Sequence, residues 1–147
     1  MILITGATGN FGSATINFLV EKGIQPHEIK ALVRNEASAT ALLEKGIGIA
    51  IGSYDDATSL TKAFTGVDQI LLVSGNDIEN RLQQHLNVIS VAKEVGVKHI
   101  VYTSFQRKNE TPSSPLWVVA HSHLETEKAL KESGLTYTIL KNNLYMD

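Results

Sequence analysis

The chain contains no cysteine and only three prolines among its 147 residues. The lack of cysteine excludes disulfide bonds and any reaction that needs a thiol nucleophile. Acidic residues number 15 and basic residues 13, and no basic stripe alternates with aromatic side chains. This balance argues against a surface that binds nucleic acid. No apolar run reaches the roughly 18 residues of a membrane span. We therefore expect a cytoplasmic protein with no membrane or nucleic-acid partner.

The first twelve residues, MILITGATGNFG, carry the clearest motif. An apolar run over residues 1–4 predicts a buried strand, and Gly6, Gly9 and Gly12 follow before an apolar helical pattern begins. A strand, a glycine turn and a helix in this order are typical of a site for a dinucleotide pyrophosphate. A glycine-capped turn without a ligand is the alternative. The surrounding strand and helix favour a nucleotide site. Its candidate cofactor-binding residues are Gly6, Ala7, Thr8, Gly9, Asn10, Phe11 and Gly12.

The rest of the chain alternates between strand and helix patterns. Strands are predicted at residues 1–4, 29–33, 47–51, 69–73, 98–103 and 136–140, and helices at 13–22, 37–45, 57–64, 79–95 and about 115–133. Continuous apolar strands separated by helices are typical of a parallel sheet covered on both faces. With right-handed crossovers, the predicted fold is α/β, a doubly wound parallel sheet of six strands in the order 3-2-1-4-5-6.

Two of the predicted helices carry apolar residues at helical spacing, and we expect those faces to pack on the sheet. The first helix has Ala14, Phe18 and Leu19, and the fourth has Leu82, Leu86, Ile89 and Ala92.

The end of the second strand bears on the choice of cofactor. A domain that prefers NAD places an acidic residue there to bind the ribose 2′-OH, whereas this chain has Arg34. A guanidinium suits a 2′-phosphate, although a solvated arginine after a strand is also common. Glu36 is better explained as an acid at a helix N-terminus than as a ribose ligand. The sequence therefore favours NADP(H), with NAD(H) as the alternative.

Several segments together resemble the NmrA-like branch of the atypical short-chain dehydrogenases, and within it the bacterial NAD(P)H:quinone oxidoreductases of type 2. The similarity covers essentially the whole chain. The residues that carry it are Gly6 to Gly12, Leu32-Val33-Arg34-Asn35, Tyr102-Thr103-Ser104, His123-Leu124-Glu125-Thr126-Glu127-Lys128 and Gly134 to Asn142.

The resemblance implies hydride transfer from NADPH to a quinone or a similar small electrophile. It also implies a cofactor groove lined by Ser74, Gly75, Asn76, Lys141, Asn142 and Asn143. Thr103 is a further candidate from the matched strand. Ser104 follows at the strand's carboxyl end, where it could lie near the nicotinamide or be a plain strand-end serine.

Many relatives carry a Tyr-x-x-x-Lys pair that donates a proton, and its two places here hold Val119 and His123. Because valine cannot donate a proton, that mechanism is excluded and the catalytic residues stay unassigned. A quinone needs such a donor less, since its oxyanion is stabilised by resonance. His123 could contact the nicotinamide ribose or simply lie on the helix surface. His121 is two residues away, on another helix face, so no metal site is expected.

Two further departures from the family shape the expectations. Ser53 stands where many relatives have an aspartate that binds the adenine amine, which would weaken one contact. Family members also continue well beyond this length. We therefore expect residues 1–147 to form an NAD(P)-binding Rossmann domain without the C-terminal substrate-binding part. An exposed sheet edge and groove would favour a homo-oligomer. A non-catalytic NAD(P)-binding redox sensor of the NmrA-like type is the alternative function.

Overall fold

In the computed structural model, which describes residues 1–143, six parallel strands form one sheet in the order β3-β2-β1-β4-β5-β6. The strands are β1 (Ile2–Ile4), β2 (Ile29–Val33), β3 (Gly48–Ile51), β4 (Gln69–Leu72), β5 (His99–Phe105) and β6 (Thr136–Asn142). The helices are α1 (Asn10–Glu21), α2 (Thr40–Glu44), α3 (Ala57–Phe64), α4 (Arg81–Glu94) and α5 (Trp117–Glu132). The predicted doubly wound fold and strand order are confirmed.

The sheet separates two hydrophobic layers, because side chains of neighbouring strand residues point to opposite faces. Leu3 belongs to the layer shared with α3, α4 and α5, whereas Ile4 belongs to the layer beneath α1 and α2. Ile70 and Leu71 of β4 divide in the same way. Burial on both faces explains why the central strands read as continuous apolar runs.

The predicted buried face of α1 is only partly right, because Leu19 alone of its three residues packs against the core, where it is half-buried. Gly12 and Ile16 are the buried residues of this helix, while 62% of the Phe18 surface is exposed and Ala14 is exposed as well. Gly12 and Ile16 are four residues apart and share one helix face. Because Gly12 has no side chain, its face of the helix packs closely against the glycine turn and the sheet. The face that carries Phe18 therefore points to solvent.

The predicted stripe on α4 is only partly right. Ile89 and Ala92 are buried, but Leu82 and Leu86 are half-buried, and Arg81 and His85 occupy the interior instead. Buried polar side chains need hydrogen-bond partners, and these two find theirs in the loop that follows β4. The buried stripe is therefore offset by one residue from the apolar pattern.

Other differences from the predicted boundaries have local causes. The second predicted helix begins as a 3-10 turn, Glu36–Ala39, because the Asn35 side chain accepts a hydrogen bond from the Ser38 amide at 3.0 Å. β5 and β6 extend further than expected, since they stay paired up to Phe105 and Asn142. Within residues 1–143, no helix has both the length and the apolar character that crossing a bilayer demands.

Candidate functional site

The glycine turn, residues 6–12, joins β1 to α1 and requires glycine at two of its positions. Gly6 has a φ of +57°, a conformation that L side chains rarely adopt. A Cβ on Gly6 would also lie 3.2 Å from the Cβ of Val73. A Cβ on Gly12 would overlap the Gly6 carbonyl oxygen and come within 2.7 Å of the Gly6 carbonyl carbon. These contacts bring the turn against the end of β4 and bring α1 against the turn.

Gly9 differs from its two neighbours in the motif. Its φ of −84° and ψ of 168° suit any residue. Within the described chain, a Cβ there would meet only the Gly6 carbonyl oxygen, at 3.3 Å. Gly9 is also the N-cap of α1, which has no side-chain cap and no acidic residue in its first turn. An open approach to an uncapped helix N-terminus is a favourable place for a phosphate group.

The turn lies at the point where the strand order reverses, between β1 and β4. In open α/β sheets, ligands bind at the carboxyl ends of the strands at such a point. The β4 loop, residues 74–76, follows β4 at this edge. The Ser74 amide donates a hydrogen bond to the Thr103 hydroxyl at 2.9 Å, which ties the loop to the end of β5. The structure therefore brings together the glycine turn, the β4 loop and Thr103.

Exposure differs within this group. Ala7 and Gly12 are buried and Phe11 is half-buried, whereas Gly6, Thr8, Gly9 and Asn10 are exposed. In the β4 loop, Asn76 is exposed and its two predecessors are half-buried.

Arg34 directly follows β2, the strand next to β1 on the other side of the reversal point. Its side chain is exposed and makes no hydrogen bond or ion pair within residues 1–143. Glu36 lies in the first turn of the following 3-10 helix, as expected. A cation is therefore available at the edge of the crevice.

Ser104 and Lys141 lie in a separate polar cluster. The Ser104 hydroxyl donates a hydrogen bond to the Glu127 carboxylate, and Lys141 Nζ lies 3.8 Å from Glu127 Oε2. Arg107 Nη1 lies 2.9 Å from Glu127 Oε1, and both side chains are buried. Burial opposes ionisation of Glu127, but hydrogen bonds from Arg107 and Ser104, together with the positive charges of Arg107 and Lys141, outweigh it and lower the pKa of the carboxyl group. The cluster secures the segment after β5 to α5.

His123 is buried beneath α5 rather than on the helix surface. Its Nδ1 lies 2.6 Å from the Tyr102 hydroxyl, and Tyr102 is fully buried on β5. Burial, reinforced by the positive charges of Arg81 and Arg107, lowers the pKa of His123 to about 4. Burial likewise raises the pKa of Tyr102. Both groups are therefore neutral near pH 7, and the Tyr102–His123 pair carries no net charge.

The last candidates lie at the end of β6. The Asn142 carbonyl oxygen accepts a hydrogen bond from the Gln106 amide at 2.8 Å, which closes the β5–β6 pairing, and Asn143 is exposed. Beside the end of β5 is a mainly apolar hollow of about 320 Å³. It is lined by Phe105, Gln106, Arg107, Lys108, Asn109, Ser114, Leu116 and Ala120.

Sequence reasoning missed two residues that contact the β4 loop. His85 Nε2 accepts a hydrogen bond from the Gly75 amide at 3.1 Å, and Arg81 Nε donates one to the Gly75 carbonyl oxygen at 2.7 Å. A signal was present, because Arg81 and His85 share a helix face with Val88 and Ala92. Polar residues that continue a buried apolar stripe indicate a partner in the interior.

Comparisons with known proteins agree with this geometry. The chain is 43% identical over 147 residues to quinone oxidoreductase 2 of Escherichia coli K12, covering all of this chain and 50% of that protein. The crystal structure of the Escherichia coli NADPH-dependent quinone oxidoreductase with NADPH matches with a TM-score of 0.87, covering 99% of this chain and 50% of that one. Triphenylmethane reductase of Citrobacter sp. with NADP(H) matches at 38% identity with a TM-score of 0.89, again covering 99% of this chain and 50% of the other.

The chain thus spans about half the length of the relatives it matches. The sequence model of the NmrA-like family matches residues 1–147. The chain belongs to the NmrA-like family.

Proposed function

We propose that the chain binds NADPH in the crevice between β1 and β4 and acts as a reductase of a quinone or a similar small electrophile. The observation that carries the proposal is the glycine turn. It presents an open, uncapped helix N-terminus where the strand order reverses. The family membership and the two cofactor-bound relatives support it.

The residues of the crevice fit a dinucleotide. Gly9 leaves room for the pyrophosphate, and the free amides at the start of α1 supply donors for it. Arg34 has no partner of its own within the described chain and suits the 2′-phosphate, which favours NADPH over NADH. The β4 loop and Thr103 would line the other half of the groove. When bound, NADPH supplies the hydride that an acceptor takes up.

The acceptor is proposed to be flat and mainly apolar. The hollow beside the end of β5 lies along the same edge of the sheet as the β4 loop. Val119 offers no proton at the place where many short-chain dehydrogenases have a tyrosine, and Tyr102 and His123 are engaged with each other. An acceptor whose reduced oxyanion is stabilised by resonance suits such a site better than an isolated ketone or aldehyde, whose alkoxide product needs a proton donor.

The proposal is tested by NADPH oxidation with menadione, with Escherichia coli quinone oxidoreductase 2 as the positive control. We expect this chain to bind NADPH and to turn over menadione more slowly than the control, because it corresponds to half of that protein and an acceptor must be held in near-attack geometry. Binding without turnover would favour the redox sensor, since the missing tyrosine at Val119 is compatible with both functions. Failure to bind NADPH would contradict both functions.

A further inference from the structure

Both backbone polar groups of Gly75 are held by side chains of α4. The Gly75 amide donates to His85 Nε2 at 3.1 Å, and its carbonyl oxygen accepts from Arg81 Nε at 2.7 Å. Arg81 and His85 are four residues apart, so they project from one face of the helix. Their exposed fractions are only 7% and 0%. The orientation of the β4 loop is therefore set from inside the protein by two buried side chains.

The hydrogen bonds also fix where the imidazole proton lies. A backbone N–H can only donate, so His85 Nε2 must carry the lone pair and Nδ1 the proton. That Nδ1–H faces the Thr126 hydroxyl at 3.0 Å, and the hydroxyl in turn donates to the Ser122 carbonyl oxygen at 2.6 Å. Every group in this series of hydrogen bonds has one consistent assignment as donor or acceptor. Thr126 on α5 therefore selects the tautomer that accepts from Gly75.

The same helix holds the loop after β3. Gln84 Nε2 donates to the Asp55 carboxylate at 3.0 and 3.2 Å, and Asn87 Nδ2 donates to the Tyr54 carbonyl oxygen at 2.9 Å. The Tyr54 hydroxyl donates to the Val73 carbonyl oxygen at 2.9 Å, next to the β4 loop. The polar side chains of α4 thus hold the loop after β3 as well as the β4 loop, on the two sides of the point where the strand order reverses.

Burying a cation and an imidazole in a helix face costs stability compared with apolar residues of similar size. We propose that His85, in the tautomer selected by Thr126, and Arg81 are positioning residues that fix the Gly75 peptide groups in the orientation the dinucleotide requires. The inference rests on the proposed function. Neither side chain needs to contact the cofactor, because each acts through the backbone of Gly75.

The test compares NADPH affinity, by calorimetry, for the wild-type chain and three variants. His85→Leu removes the acceptor and should weaken binding on the order of tenfold, the equivalent of one lost hydrogen bond. His85→Gln places an amide oxygen near the position of Nε2 and should restore affinity to within about twofold of wild type. Val88→Ala is the matched control, since it opens a cavity one turn along the same buried face and should lower Tm without changing affinity.

A spectroscopic readout separates positioning from general stability. Long-range proton–nitrogen NMR of the wild-type chain should show Nδ1 protonated and Nε2 unprotonated in His85. An Nε2-protonated ring would overturn the proposal even if His85→Leu failed to fold. Wild-type affinity in His85→Leu, or equal weakening in His85→Leu and Val88→Ala, would reject the positioning role alone. Absence of NADPH binding by the wild-type chain would reject the proposed function and the positioning role with it.

Discussion

The glycine turn allows one substitution to disturb the ligand site and a matched one to disturb the fold. Gly9→Val keeps an ordinary backbone conformation, and its Cβ would lie 3.3 Å from the Gly6 carbonyl oxygen. Its structural cost therefore combines a shift of a few tenths of an ångström at that contact with a poorer helix N-cap, the latter about 1 kcal/mol. In the proposed site the same side chain would exclude the pyrophosphate. Loss of two charge-assisted hydrogen bonds at about 1.5 kcal/mol each corresponds to at least a hundredfold weaker binding.

Gly12→Ala is the matched substitution that should disturb the fold. Its Cβ would overlap the Gly6 carbonyl group, and backbone cannot move aside as the end of a flexible side chain can. We expect a destabilisation of about 3 kcal/mol or more, at the upper end for an overpacked interior. Urea denaturation followed by circular dichroism measures the stability of both variants, and calorimetry measures their NADPH affinity. Undiminished affinity in Gly9→Val, or unfolding of Gly9→Val beside an intact Gly12→Ala, would refute the reasoning.

Three further predictions concern charge. Arg34→Glu should weaken NADPH binding by about 1.5–3 kcal/mol and leave NADH binding unchanged. Lys128→Glu makes an equal charge change at an exposed position of α5 and should affect the binding of neither cofactor. Equal losses for both cofactors in calorimetry would exclude Arg34 as the residue that selects NADPH. Glu127→Ala removes one of the two carboxylates that pair with the buried Arg107 guanidinium, since Glu110 stays 3.0 Å from Nη2, and should lower the free energy of unfolding by about 1.5–3 kcal/mol in urea titrations; a cost below about 0.5 kcal/mol would show the Arg107–Glu127 pair to be unimportant. Burial lowers the pKa of His85 to about 3 and of His123 to about 4, from an ordinary 6.5, so only the unfolded chain binds their protons in weak acid. Stability should be full above about pH 6.5 and fall by about 1.4 kcal/mol per pH unit for each histidine down to about pH 4, and a flat profile of unfolding free energy over this range would contradict their burial.

The fold could be predicted from the sequence because strands buried on both faces leave continuous apolar runs that alternate with helical patterns. The faces of α1 and α4 were harder to predict. Phe18 is more apolar than Gly12, yet the close approach of α1 to the turn requires the residue without a side chain. On α4, hydrophobicity favours Leu82 over Arg81, whereas hydrogen bonds to Gly75 bring the arginine inside.

The glycine turn could be predicted because its chemistry is local, with all its residues inside one short segment. The polar cluster around Glu127 could not be predicted, since Ser104 and Glu127 meet only through the packing of α5 on β5. The same is true of His85 and Thr126, which lie 41 residues apart in the chain. A polar residue in the sequence does not reveal whether its side chain faces a ligand or a distant partner.

The most direct test of the account is a titration of the isotope-labelled chain with NADPH, followed by backbone amide chemical shifts. The account predicts saturable changes concentrated in the glycine turn and the β4 loop, which lie where the strand order reverses, and at Arg34, which follows the neighbouring strand β2. The absence of saturable changes, or changes centred on another face of the sheet, would contradict it.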